Sequence, residues 1–105
     1  MKTTNKAAGE TAKKRTIKES ALIKKLGAFR EARVLGANQT ELIYKNGKAL
    51  QSYNTIVAYD LNWDYYFTAA HDCSNTTNKH VKRWCGWGSP ERRQGLANGK
   101  FINVI

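Results

Sequence analysis

The stretch ELIYKNGKAL, Glu41 to Leu50, sets the pair Asn46-Gly47 between two runs rich in apolar residues. Asn-Gly readily supplies the positive φ angles of a two-residue type I′ turn, so the stretch predicts a β-hairpin. Reading outward, the second strand runs from Lys48 to about Tyr59, with Tyr53, Thr55, Val57 and Tyr59 on one face and Asn54, Ile56 and Ala58 on the other. Asp60 to Asp64 turns the chain again. Trp63, Tyr65, Phe67 and Ala69 alternate with Tyr66 and Thr68, which predicts a third strand and a three-stranded antiparallel meander.

On the N-terminal side, Thr16-Ile17-Lys18-Glu19 has the spacing of a helix capping box. Leu22, Ile23, Leu26 and Phe29 follow at three- and four-residue intervals, predicting a helix over 17–33 that Gly27 weakens by ~1 kcal/mol relative to Ala. On the C-terminal side, Ser74 to Asn78 offers side chains that cap a second helix through Lys79 to Cys85. Ser89-Pro90-Glu91 opens one more turn carrying Arg92 and Arg93. Alternation over 100–105 predicts a closing strand. The expected class is α+β: helix, three-stranded meander, helix, C-terminal strand, with the helices on one face of the sheet.

At 105 residues the chain has room for one domain, taken as 16–105, behind a flexible basic arm, 1–15. The arm either follows a phosphate backbone or an acidic protein surface, or is a solvated tail. Two cysteines, Cys73 and Cys85, are too few for a disulfide scaffold and read as free thiols. No apolar run approaches the ~20 residues a membrane-spanning helix needs, and no signal-peptide core follows Met1. The expected compartment is therefore cytoplasmic, with no membrane partner.

Charge is the outlying property: 18 Lys+Arg stand against 8 Asp+Glu, a net +10. Residues 1–33 carry +7, 34–72 carry −2 and 73–105 carry +5, so the two ends are basic around a slightly acidic middle. The candidate binding residues are Lys13, Lys14, Arg15, Lys24 and Lys25 in the first third, and Lys79, Lys82, Arg83, Trp87, Arg92 and Arg93 in the last. Lys and Arg neutralise phosphates, and indole or guanidinium planes stack on unpaired bases. The competing reading makes Trp84 and Trp87 core residues and the cations a solvated face. His71, Asp72, Cys73, His80 and Cys85 lack the two close ligand pairs of a structural zinc site, so no metal or cofactor is expected. His71-Asp72 beside Cys73 and Ser74 has neither a phosphate loop nor paired carboxylates with it, so the chain reads as non-enzymatic.

The predicted order of elements resembles that of double-stranded-RNA-binding domains, with Asn78-Lys79-His80-Val81-Lys82-Arg83 a loose match to their basic helix start. Two stretches are similar to a group of small uncharacterised proteins encoded by bacterial viruses: Ser52-Tyr53-Asn54-Thr55-Ile56-Val57-Ala58-Tyr59 and Ser74-Asn75-Thr76-Thr77-Asn78-Lys79-His80-Val81. That resemblance implies a viral origin and action inside an infected bacterial cell, with Thr76 and Thr77 as cap residues and His80 partner-facing or structural. Two functions are expected from these features. One is a binding protein for RNA, DNA or a nucleoprotein complex, acting through the arm and residues 79–93. The other is an anti-CRISPR-like or host-takeover inhibitor that blocks an acidic host protein, using exposed aromatics such as Tyr66 or Trp87 as anchors. A monomer or weak dimer fits either.

Overall fold

The computed structural model describes residues 13–105. Five strands follow one another as antiparallel ladders: β2 (Phe29–Gly36), β3 (Gln39–Tyr44), β4 (Gly47–Ser52), β5 (Thr55–Leu61) and β6 (Asp64–Phe67). Their residues are largely β-branched, aromatic or aliphatic, which suits a pleated and half-buried surface. Ahead of them stand β1 (Arg15–Ile17) and α1 (Glu19–Leu26); behind them come a turn of 3-10 helix (Ala69–Asp72), α2 (Asn75–Cys85), α3 (Ser89–Asn98) and β7 (Ile102–Val104). β7 runs parallel to both β6 and β1, so the described residues form a seven-stranded mixed sheet in the order β1-β7-β6-β5-β4-β3-β2.

Both faces of this sheet are covered over its central strands, and β2 at the edge stays bare. Tyr59 opposes Tyr66 and Ala58 opposes Phe67 across the β5–β6 ladder, and side chains of successive residues point to opposite faces. Tyr59 and Tyr66 join Leu22 and Leu26 of α1 with Ala49, Leu61, Ile102 and Val104 in one core. Ala58 and Phe67 join Leu50, Val57, Phe101, Val81 of α2 and Leu96 of α3 in the other. Each fully buried leucine contributes about 1.5–3 kcal/mol. Gly95 of α3 meets Phe101 so closely that an added Cβ would lie 2.2 Å from its ring, which fixes a glycine there.

The architecture corrects the sequence reading in several places. In place of a three-stranded meander with one closing strand there are seven strands, and the helices lie on both faces rather than one. The expected helix over 17–33 stops at Leu26: Gly27 takes φ 77 and the chain turns out as β2. The apolar spacing misled because Ile23 and Phe29 are exposed, and Phe29 packs edge-on against Tyr44 across the β2–β3 ladder. No capping box forms. Lys18 is the N-cap without a side-chain bond, Thr16 sits in β1, and Glu19 accepts a 2.9 Å hydrogen bond from the Tyr59 hydroxyl.

The expected long second strand is broken at Tyr53, which takes φ 57 between β4 and β5. The closing strand is internal and parallel, with Ile102 and Val104 buried. The turn expected after Pro90 is a ten-residue helix. With the three-stranded meander goes the likeness in element order to double-stranded-RNA-binding domains. The expected arm lies outside the described residues except for Lys13, Lys14 and Arg15, and Arg15 already belongs to β1.

Candidate nucleic-acid interface

α2 carries a charged outer face because its inner face is anchored at several points. Ser74 caps it, its hydroxyl accepting from the Thr77 N–H at 3.1 Å, and Gly86 closes it at φ 87, donating to the Lys82 carbonyl at 2.7 Å. Inside, Val81 enters the core and the Ser52 hydroxyl lies 3.0 Å from Thr77 Oγ1 and 2.8 Å from His80 Nδ1. His80 is therefore a buried structural histidine. Trp84 donates its indole N–H to Glu41 at 2.8 Å, and Glu41 is also within ion-pair reach of Arg33 and Lys48. What remains outside is Lys79, Lys82 and Arg83, all exposed, which with Gly86 line a shallow cleft of about 400 Å³. None of the three pairs with a carboxylate among the described residues. At the open mouth a Cβ on Gly86 would touch nothing.

Arg92 leaves the candidate set. It is 0% exposed, donating from Nε to His71 Nδ1 at 2.9 Å, from Nη1 to the Trp87 carbonyl at 2.7 Å, and from Nη2 to the His71 carbonyl at 3.1 Å and to Asn78 Oδ1. A buried charge without such partners would cost several kcal/mol. Burial holds the His71 imidazole below its ordinary pKa, with Arg92 and Arg93 adding to the effect against Asp72. Its Nδ1 accepts from Arg92, so the neutral ring carries its proton on Nε2, 3.9 Å from Asp72. Burial pushes the Asp72 carboxyl up, but the hydrogen bond from Arg93, with His71 and Ser89, brings it below its ordinary value. Arg93 is thus exposed yet tied to Asp72 at 2.6 Å. His71 thus holds the buried Arg92, while Asp72 beside it holds the exposed Arg93 and accepts from Ser89.

The other candidates fall into separate places. Lys14 and Arg93 line a cleft of about 370 Å³ with Leu96, Ala97 and Asn103. Arg15 and Lys25 line another of about 390 Å³ with Tyr66 and Ile102 at its floor. Lys24 is exposed in the last turn of α1 beside Lys25. Trp87 is half-buried against Phe101, with the Lys100 ammonium 3.8 Å over its ring. Tyr66, expected to be an exposed anchor, is buried in the α1-side core.

Strand pairing brings several of these to one end of the sheet. There the β3–β4 turn meets the end of α1, since Asn46 N donates to the Leu26 carbonyl and Lys45 N to that of Ala28. The β5–β6 turn is at the same end, because Gly47 opposes Leu61 and Leu61 opposes Asp64. So is the end of α3, where Arg15 Nε donates to the Gly99 carbonyl at 2.7 Å and Arg15 reaches Asp64 at 3.4 Å. This turn end therefore gathers Lys13, Lys14, Arg15, Lys24 and Lys25 with Lys45 and Lys100, which the sequence reading passed over. It also carries Trp63, the most exposed large apolar residue described. Trp63 is not among the candidate binding residues either; it stands in the turn expected over Asp60 to Asp64 rather than at the start of the third strand, where alternation also placed it.

The cysteines are free, Cys73 exposed and Cys85 half-buried. Among the described residues no three His, Cys, Asp or Glu side chains converge as a metal site would require, and no helix is long and apolar enough to cross a membrane. Comparison with known proteins places the chain in a family of unknown function, DUF8033, whose profile matches residues 30–100. No match was found among curated proteins or among solved structures.

Proposed function

We propose that this family member is a binding protein, not a catalyst, and that it engages the phosphate backbone of nucleic acid through the outer face of α2. The observation that carries this reading is the cleft lined by Lys79, Lys82, Arg83 and Gly86, with three cations and no carboxylate at its walls. Each cation that neutralises a phosphate releases condensed counterions, a term that works on any sequence and weakens with salt. The net charge of +10 adds long-range attraction to the same kind of ligand. Both histidines are engaged in buried hydrogen bonds, His80 holding α2 to β4 and His71 holding α3 to the 3-10 turn, which supports a scaffold role for them.

The test is binding of labelled RNA and DNA, single- and double-stranded, across a salt series from about 50 to 200 mM, with wild type and the double variant Lys82→Glu/Arg83→Glu. On duplex DNA the variant is expected to lower the slope of log affinity against log salt by roughly 0.9 per lost contact, close to two in all. An unchanged slope overturns the assignment to α2.

A second reading, a protein-directed inhibitor of the anti-defence kind, is supported by β2. All eight of its residues are exposed, Val34 at 80%, and it is an edge of the sheet. An open edge with apolar side chains can accept a strand from another protein. Loss of partner capture in a Val34→Lys variant, with nucleic-acid binding intact, is the result expected of that reading.

A further inference from the structure

Trp63 is the place where this molecule departs furthest from what folding alone would select. The β5–β6 connection is a two-residue turn, Asn62 and Trp63, closed by the Leu61–Asp64 pair, with φ 53 and φ 71 at its two central residues. That is the signature of a type I′ turn, whose second position favours glycine because a side chain there crowds the following carbonyl. Here the position holds the bulkiest side chain there is, and the indole touches no part of either core: it is wholly exposed. Backbone strain and an apolar surface in water are both unfavourable, and no contact within the described chain offsets them. Strained residues of this kind persist where a site uses them.

What surrounds Trp63 identifies the ligand. The turn end of the sheet holds Lys24, Lys25 and Lys45, together with Arg15, which is tied to the Gly99 carbonyl, and Lys100, whose ammonium lies over Trp87. Asp64 is occupied by Arg15 at 3.4 Å, and Asp60 lies across the ladder from Lys48. Trp63 thus stands beside the Arg15–Asp64 pair, at the end of the sheet where strand pairing gathers these cations. A protein-recognition anchor sits instead at the centre of an apolar patch that excludes water around it. Phe29, also more than half exposed, stands at the same end in β2, three strands beyond β5 or roughly 14 Å away at ~4.8 Å per strand. A free indole at a lysine-bearing end of a sheet can take an unpaired base by its face while the lysines take the flanking phosphates by charge.

We infer that the turn end of the sheet is a single-strand site in which Trp63 stacks on an unpaired base while the lysines around it hold the phosphates. The inference rests on the reading of the protein as a nucleic-acid binder and adds to it a second surface, distinct from α2, and a strand preference. Because an indole meets any base face, the site is tolerant of sequence.

The experiment compares wild type, Trp63→Gly and Trp63→Phe, using labelled oligothymidine and oligouridine and a duplex of the same length at one fixed salt concentration. One stacked base is worth ~1–3 kcal/mol, so Trp63→Gly is expected to weaken single-strand binding by roughly 5- to 150-fold, with duplex binding within about twofold of wild type. Trp63→Phe is expected to recover most of the loss, and the quenching of tryptophan fluorescence by oligothymidine to vanish in both variants. Trp63→Gly is also expected to raise the melting temperature, since glycine fits the turn, so lost binding is not lost folding. Unchanged single-strand binding in Trp63→Gly, or an equal loss on single strand and duplex, overturns this inference alone. Failure of the wild type to bind any of the probes overturns the underlying reading as well.

Discussion

Arg92 and Trp63 occupy each other's expected places: the charged side chain is sealed inside and the largest apolar one stands in water. The difference lies in what each finds around it. Arg92 reaches four acceptors on His71, Trp87 and Asn78, so its burial is compensated within the chain and needs nothing outside. Trp63 finds no apolar contact and a strained turn, so the chain offers it no compensation. A residue that violates its usual environment with its contacts satisfied is architecture, and one that violates it without them points outward.

The largest break in this comparison is at Arg92. Replacing it with Met leaves the buried acceptors unpaired, and each orphaned buried group costs about 1–3 kcal/mol. Arg92→Met is therefore expected to lose at least ~3 kcal/mol in denaturant titration, with oligonucleotide affinity preserved wherever the variant remains folded. Loss of binding in folded protein would return Arg92 to the interface.

A smaller effect sharpens the same corner. His71 accepts from Arg92 as a neutral ring, and burial lowers its pKa from 6.5. The unfolded chain takes up this proton near pH 6.5 and the folded chain only at lower pH. Unfolding therefore binds a proton in that window, so the contribution of His71 is fully present above pH 6.5 and is lost as pH falls below it. Unfolding free energy in denaturant titration should decline over that range with a slope of no more than ~1.4 kcal/mol per pH unit from this group. His71→Gln, which keeps an acceptor for Arg92, should flatten the decline.

The smallest change runs the opposite way. A non-glycine residue in the left-handed region costs ~1–2 kcal/mol, and glycine's extra unfolded-state freedom costs ~0.5–1 kcal/mol. Trp63→Gly should therefore gain about 0.5–1 kcal/mol in denaturant titration, the reverse sign to Arg92→Met. A loss on that substitution would mean that the indole has contacts within the fold after all.

Local patterns carried part of the way. Ser74 caps α2 as its hydroxyl suggested, and the hairpin after Tyr44 reverses where the Asn-Gly pair stands. Yet the pair does not work as its chemistry implied. Neither Asn46 nor Gly47 has positive φ; Gly47 is there for space, since a Cβ would lie 2.5 Å from the Asp60 carbonyl oxygen, and Asn46 donates through Nδ2 to the Lys25 carbonyl at the end of α1. The turn that does take two positive φ angles is Asn62-Trp63, which has no glycine to announce it. In the same way Lys79, Lys82 and Arg83 were legible as one helical face, because a helix places i, i+3 and i+4 together. Lys45 and Lys100 were not, since only strand pairing brings them to the end that Arg15 and Lys25 occupy.

What the sequence determined by itself was therefore local or additive: the charge of +10, the basic face of α2, and the turns flanked by alternating apolar residues. Tertiary structure alone decided that residues 29–36 leave the helix to become an edge strand, that β7 inserts parallel between β1 and β6, and that Arg92 goes in while Trp63 stays out. These outcomes depend on partners far along the chain. The carbonyls of Lys25 and Leu26 are met by Asn46, and the guanidinium of Arg92 by His71, so their energies do not exist until the sheet has closed.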